Sequence, residues 1–184
     1  MGMKSKINQH NMKKLLMIVS GPPNYGKTKS LKEFVKLLLA APAFCKRCPV
    51  YTIENAGTVY NDIKAVPPRK MDKGDWTVTF YKSAKDKAAG KPCGYIVTAG
   101  DTATPKMKNL YVSIFGMSSV EFVVGAARPW NNVHRFLLEE GAKYGFVNVG
   151  SSPFGHYIAS TNPTALLTKY QTYANELKAI FLKL

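Results

Sequence analysis

The stretch Gly21-Pro22-Pro23-Asn24-Tyr25-Gly26-Lys27-Thr28 constrains the fold of this chain more than any other, because a loop of this kind needs a strand before it and a helix after it. Both flanks are present. Leu15 to Val19 is an unbroken apolar run, long enough for a buried central strand and far too short to span a membrane. Leu31, Phe34, Val35, Leu38 and Leu39 then recur at the spacing of one helix face. Gly21 and Gly26 let the backbone turn sharply with no Cβ in the way, so that successive N–H groups can converge on an anion. The helix behind them adds its unpaired N–H groups and the positive end of its dipole.

With Gly21, Gly26, Lys27 and Thr28 filling every defined position of G-x-x-x-x-G-K-T, the chain resembles the P-loop NTPase superfamily through its Walker A motif. The resemblance implies that Gly21 through Thr28, with Lys29 beside them, cradle the phosphates of a nucleoside triphosphate. Lys27 would then reach the β- and γ-phosphates and the Thr28 hydroxyl would ligate Mg2+. It also implies a Mg2+-associated carboxylate at the end of another strand. Asp101, after Tyr95-Ile96-Val97, takes that place, although Thr98-Ala99-Gly100 intervenes where the family pattern runs apolar up to the acid. An ordinary turn or cap role for Asp101 is the alternative, and Glu54 and Asp62 are the fallback carboxylates. Thr102 stands where many ATP-driven motors carry a glutamate, and no Asn-Lys-x-Asp guanine-reading motif occurs. ATP is therefore the default nucleotide.

The rest of the chain alternates strand and helix signals. Residues 1–12 are polar and basic and read as a tail, with a single nucleotide-binding domain over 13–184. The first helix should stop near Ala41-Pro42, Val50 to Ile53 is a short strand, and Pro67-Pro68-Arg69-Lys70 is a loop. Trp76 to Tyr81 and Gly94 to Thr98 read as a hairpin with a basic, flexible tip, adding an antiparallel edge. Thr104-Pro105 opens a helix, Val120 to Ala126 is a buried strand with Arg128 just beyond it, and a helix from Asn131 or Asn132 should stop at Gly141. Phe146 to Val149 is a last strand, and Asn162-Pro163 opens a long terminal helix. This order predicts an α/β fold, a parallel-rich sheet with helices on both faces. Ligands in such sheets lie at the carboxyl ends of the strands, where the glycine-bounded loop, Asp101 and Arg128 all fall.

Composition bounds the partners. The 184 residues carry 26 basic and 11 acidic side chains, a net charge of +15, which favours anions without choosing among polyphosphate, nucleic acid and an acidic membrane. No stretch is long and apolar enough to span a membrane, and three cysteines suit a cytoplasmic, reducing setting better than a disulfide framework. Cys45 and Cys48 have the spacing of half a zinc site, with no second half in the sequence. Two functions stay open. One is a kinase-like phosphotransferase with ATP, Mg2+ and a small acceptor, in which Lys27, Asp101 and Arg128 do the chemistry and the basic region Arg69 to Lys91 clamps an anion. The other is an ATP-binding module that engages nucleic acid through its basic surface, with Tyr51, Tyr60, Trp76 and Tyr81 as stacking faces.

Overall fold

A computed structural model describes residues 13–20, 27–72, 74–100, 103–128, 132–149 and 163–182. Strand β1 (Lys14–Ser20) is followed by helix α1 (Lys27–Leu39). Pro42 ends the first helical run as expected, but it also starts a second, because a missing N–H costs nothing at the first helical position: α2 is Pro42–Arg47. Strands β2 (Val50–Asn55) and β3 (Thr58–Tyr60) come next, then a 3-10 turn at Ile63–Ala65. The Pro67-Pro68 segment is not all loop, for Pro68 begins the short helix α3 (Pro68–Asp72), pinned by buried Met71. Strand β4 (Trp76–Tyr81), helix α4 (Ala84–Ala88), strand β5 (Gly94–Val97) and helix α5 (Pro105–Gly116) follow. Strand β6 (Phe122–Ala127), helix α6 (Asn132–Lys143), strand β7 (Phe146–Asn148) and helix α7 (Pro163–Leu182) complete the order.

Among the described residues seven strands form one sheet, in the order β3-β2-β4-β5-β6-β1-β7. The sheet is mixed. Neighbours from β5 through β6 and β1 to β7 run parallel, while β5 with β4, β4 with β2 and β2 with β3 run antiparallel. The expected hairpin of β4 and β5 exists but lies inside the sheet, since β2 and β3 pair outside it. Its connection is ordered as well: Ser83 caps α4, its Oγ accepting the Asp86 N–H at 3.0 Å. The turn joining β2 to β3 has positive φ at both Ala56 (49°) and Gly57 (83°), the geometry that matches strand twist in a two-residue hairpin. Glu54 Oε1 accepts the Gly57 N–H at 2.7 Å and holds the turn.

Strand alternation splits the core into two layers. Met17 and Val19 face α1, α2 and α7, whereas Leu16 and Ile18 face α5 and α6. Leu31, Phe34, Val35 and Leu38 of α1 are fully buried, each side chain worth about 1.5–3 kcal/mol. Phe44, Phe80, Phe122 and Phe181 interlock edge to face or tilted, with centroids 5.1–6.1 Å apart. On the other face Thr104 caps α5 as the sequence predicts, its Oγ1 accepting the Met107 N–H at 3.2 Å. Gly141 does not end α6. It is buried within that helix, where an added Cβ would sit 3.0 Å from Leu16 Cδ2, so its role is to let helix and sheet approach closely.

Candidate functional site: the crevice between β1 and β6

Strands β1 and β6 are adjacent and parallel, with Ser20 opposite Ala127, yet the chain leaves them toward opposite faces of the sheet. From β1 it passes to α1 on one face; from β6 it passes to α6 on the other. In open α/β sheets a ligand crevice forms where the chain diverges in this way, at the strands' carboxyl ends.

Several predicted residues belong to the elements that flank this divergence. Lys27 opens α1 and is buried. Thr28 is half-buried next to it, and Arg128, also half-buried, is the first residue beyond β6. The first turn of α1 holds Lys27 and Lys29 and no acid, the reverse of what a helix dipole favours, an imbalance that a bound anion would offset. Ser30, in the same turn, is fully buried and its Oγ has no hydrogen-bond partner among the described residues. Lys29 is exposed, with its ammonium 5.8 Å from the centre of the Tyr170 ring on α7. Gly21, Pro22, Pro23, Asn24, Tyr25, Gly26 and Asp101 lie outside the described residues.

The approach to Asp101 is described, and it explains the polar break in the apolar run. Thr98 Oγ1 accepts the Trp76 N–H at 2.9 Å and donates to the Trp76 carbonyl at 3.1 Å, extending the β4–β5 pairing by a side chain. Gly100 then lies so close to β6 that an added Cβ would fall 1.5 Å from the Ala126 carbonyl oxygen. This brings the chain to the end of β6, one strand from β1. The fallback carboxylates are elsewhere. Glu54 is on β2, separated from β1 by β4, β5 and β6 and hence by roughly 19 Å at ordinary strand spacing, and Asp62 caps the 3-10 turn.

The basic stretch from Arg69 to Lys91 does not form one clamp. Arg69 and Lys70 lie on α3, which packs against α1 and is tied to it by a 2.6 Å Lys32–Asp72 ion pair. Lys82, Lys85, Lys87 and Lys91 follow β4 and so lie near the opposite ends of the strands. Trp76 is no stacking platform either: it is 1% exposed, and its indole N–H donates to the Met71 carbonyl at 3.1 Å. Tyr51 gives its hydroxyl to the Ile63 N–H as an acceptor at 2.9 Å, and Tyr60 accepts from Lys70 Nζ at 3.2 Å. No group of three metal-ligating side chains occurs among the described residues, and Cys45 sits within α2 with Cys48 at its carboxyl cap.

Comparison with known protein families, with curated proteins and with solved structures finds no match.

One residue at this edge escaped the sequence reading. His134 lies in the first turn of α6 and is buried, and burial pushes its pKa below the ordinary 6.5. Nothing in a lone histidine signals this; only the helix placement does. Because the folded state resists protonation more than the unfolded state, no stability is lost above about pH 6.5, and stability falls as pH drops below that value through the folded pKa. Urea melts between neutral and mildly acidic pH are expected to show this slope, and His134→Gln should flatten it. An unchanged slope in the variant would assign the acid sensitivity to other groups.

Proposed function

We propose that this chain binds a nucleoside triphosphate, ATP by default, in the crevice between β1 and β6, and transfers its γ-phosphoryl group to a small acceptor. The observation that carries the reading is the place of Lys27. It opens α1, the element that follows β1, after the glycine-bounded sequence Gly21 to Gly26, with Arg128 leaving the neighbouring strand. The residues fit a phosphate-bound Mg2+: a helix start with two cations and no acid suits polyphosphate, and Thr28 supplies a hydroxyl suited to the metal, with Asp101 as the second proposed ligand. Bound there, Mg2+ would neutralise charge on the phosphate oxygens. Lys27 holds the phosphates, the α1 N-terminus orients them, and Arg128 stabilises charge that builds as the phosphoryl group moves. Phosphoryl transfer asks mainly for positioning and charge neutralisation, which these groups supply without covalent participation.

A thermal-shift panel of ATP, GTP and ADP, with and without Mg2+, tests the reading. At a hundredfold excess over the dissociation constant a ligand adds about 2.7 kcal/mol, so ATP with Mg2+ should raise Tm by roughly 5–10 °C. No shift with any nucleotide at millimolar concentration would end it.

A further inference from the structure

At the opposite ends of the strands the structure brings together two thiols that are 45 residues apart in sequence. Cys48 caps the carboxyl end of α2, and Cys93 immediately precedes Gly94, the first residue of β5. Their Sγ atoms are 3.3 Å apart and both residues are buried. Cys93 is held from two sides, its N–H donating to the Phe80 carbonyl and its own carbonyl accepting the Glu121 N–H, each at 2.8 Å. It lines a cavity of about 250 Å3 together with Lys14, Lys82, Lys91, Asp86 and Glu121. Glu121 pairs with both Lys82 and Arg47, which keeps two cations beside the sulfur atoms. Cys45 stands apart, its thiol donating to the Leu39 carbonyl at 3.0 Å.

We propose that Cys48 and Cys93 are a redox-sensing pair, closed to a disulfide by hydrogen peroxide and reopened by thiols. The charges fit that chemistry. One thiol donates to the other across the 3.3 Å gap; this contact, with Arg47 and Lys82 nearby, lowers the Cys48 pKa against the opposing effects of burial and Glu121, while the same contact and burial push the Cys93 thiol up. The Cys48 thiolate attacks one peroxide oxygen, the O–O bond breaks, and the departing hydroxide takes a proton to become water. Cys93 sulfur then attacks the resulting sulfenic sulfur; the S–O bond breaks and the hydroxyl leaves as water with the Cys93 proton. Two thiols are oxidised, one peroxide is reduced, and two waters form. The cross-link ties α2 to the start of β5 and encloses β2, β3 and β4 in a covalent loop. None of this depends on nucleotide binding.

The test is to treat the full-length reduced protein with hydrogen peroxide, alkylate the remaining thiols under denaturing conditions, and map tryptic peptides without reduction. The expected result is loss of the mass of two hydrogens, alkylation at Cys45 alone, a peptide pair joined through Cys48 and Cys93, and reversal by dithiothreitol. Oxidation should also raise Tm by roughly 5–10 °C. Cys45→Ser should still cross-link; Cys48→Ser and Cys93→Ser should not. Three alkylated thiols at a dose that oxidises free cysteine, a Cys45–Cys48 bridge, or sulfinic acid at Cys48 without a cross-link would each overturn the proposal. The peptide map is made on the parent protein, so poor folding of a serine variant would not leave the matter open.

Discussion

Lys27→Ala is expected to weaken ATP binding by roughly 10- to 150-fold, the loss of a charge-assisted contact worth about 1.5–3 kcal/mol. Circular dichroism and the position of the thermal transition should stay close to the parent, because the side chain stands at the start of α1 and belongs to neither core layer. Calorimetry on both proteins gives the answer directly. Equal affinities would mean that the buried ammonium has a purely structural role. Arg128→Ala separates binding from transfer: affinity should change little, while turnover should fall by roughly 10²-fold, as happens when a contact to developing transition-state charge is lost. Arg128→Lys should recover only part of that loss, since it restores the charge without the planar fork.

Local pattern carried the elements nearest this site. Five apolar residues bounded by a glycine loop made β1 legible, and Leu31, Phe34, Val35 and Leu38 at helical spacing made the buried face of α1 legible. Thr104-Pro105 was readable for the same reason, since a cap and a first-turn proline act within one turn. Sheet order was not readable. A strand's partner is chosen by packing across the whole sheet, so the placement of β2 and β3 outside the β4–β5 pair left no mark in the sequence around Trp76 or Gly94. The β2–β3 hairpin was hidden further by Ala56, an uncommon residue at positive φ. Gly141 misled because a glycine near a helix end has two physical uses, and here close packing against Leu16 wins over chain reversal. The charge pattern misled in a similar way. Arg69 and Lys91 are near in sequence, but β4 carries the chain from one end of the strands to the other between them. Cys48 with Cys93, and His134 at the start of α6, are products of tertiary placement alone.

Gly100→Ala should cost about 3 kcal/mol or more and lower Tm by roughly 6–12 °C, a large effect for the addition of one methyl group. The new Cβ would stand 1.5 Å from the Ala126 oxygen, 2.5 Å from its carbonyl carbon and 3.2 Å from the Ala127 nitrogen. All three are backbone atoms, so no rotamer change relieves the overlap. Strand β6 cannot yield easily, because every residue from Phe122 to Ala127 is buried and it pairs with β5 on one side and β1 on the other. The chain after Thr98 must move instead, and with it the approach to Asp101. If that aspartate serves the bound nucleotide as proposed, the Mg2+-dependent part of the ATP-induced thermal shift should shrink in the variant along with the stability. Gly116→Ala is the matched control: it ends α5, it is exposed, and its nearest new neighbour would be Tyr144 Cε1 at 3.8 Å. That change should be neutral or stabilising within about 1 kcal/mol, since alanine suits a helix better than glycine. Equal melting temperatures for the two variants would show that the β5 extension relaxes around the methyl group, and would remove the close approach at Ala126 as the reason for glycine at position 100.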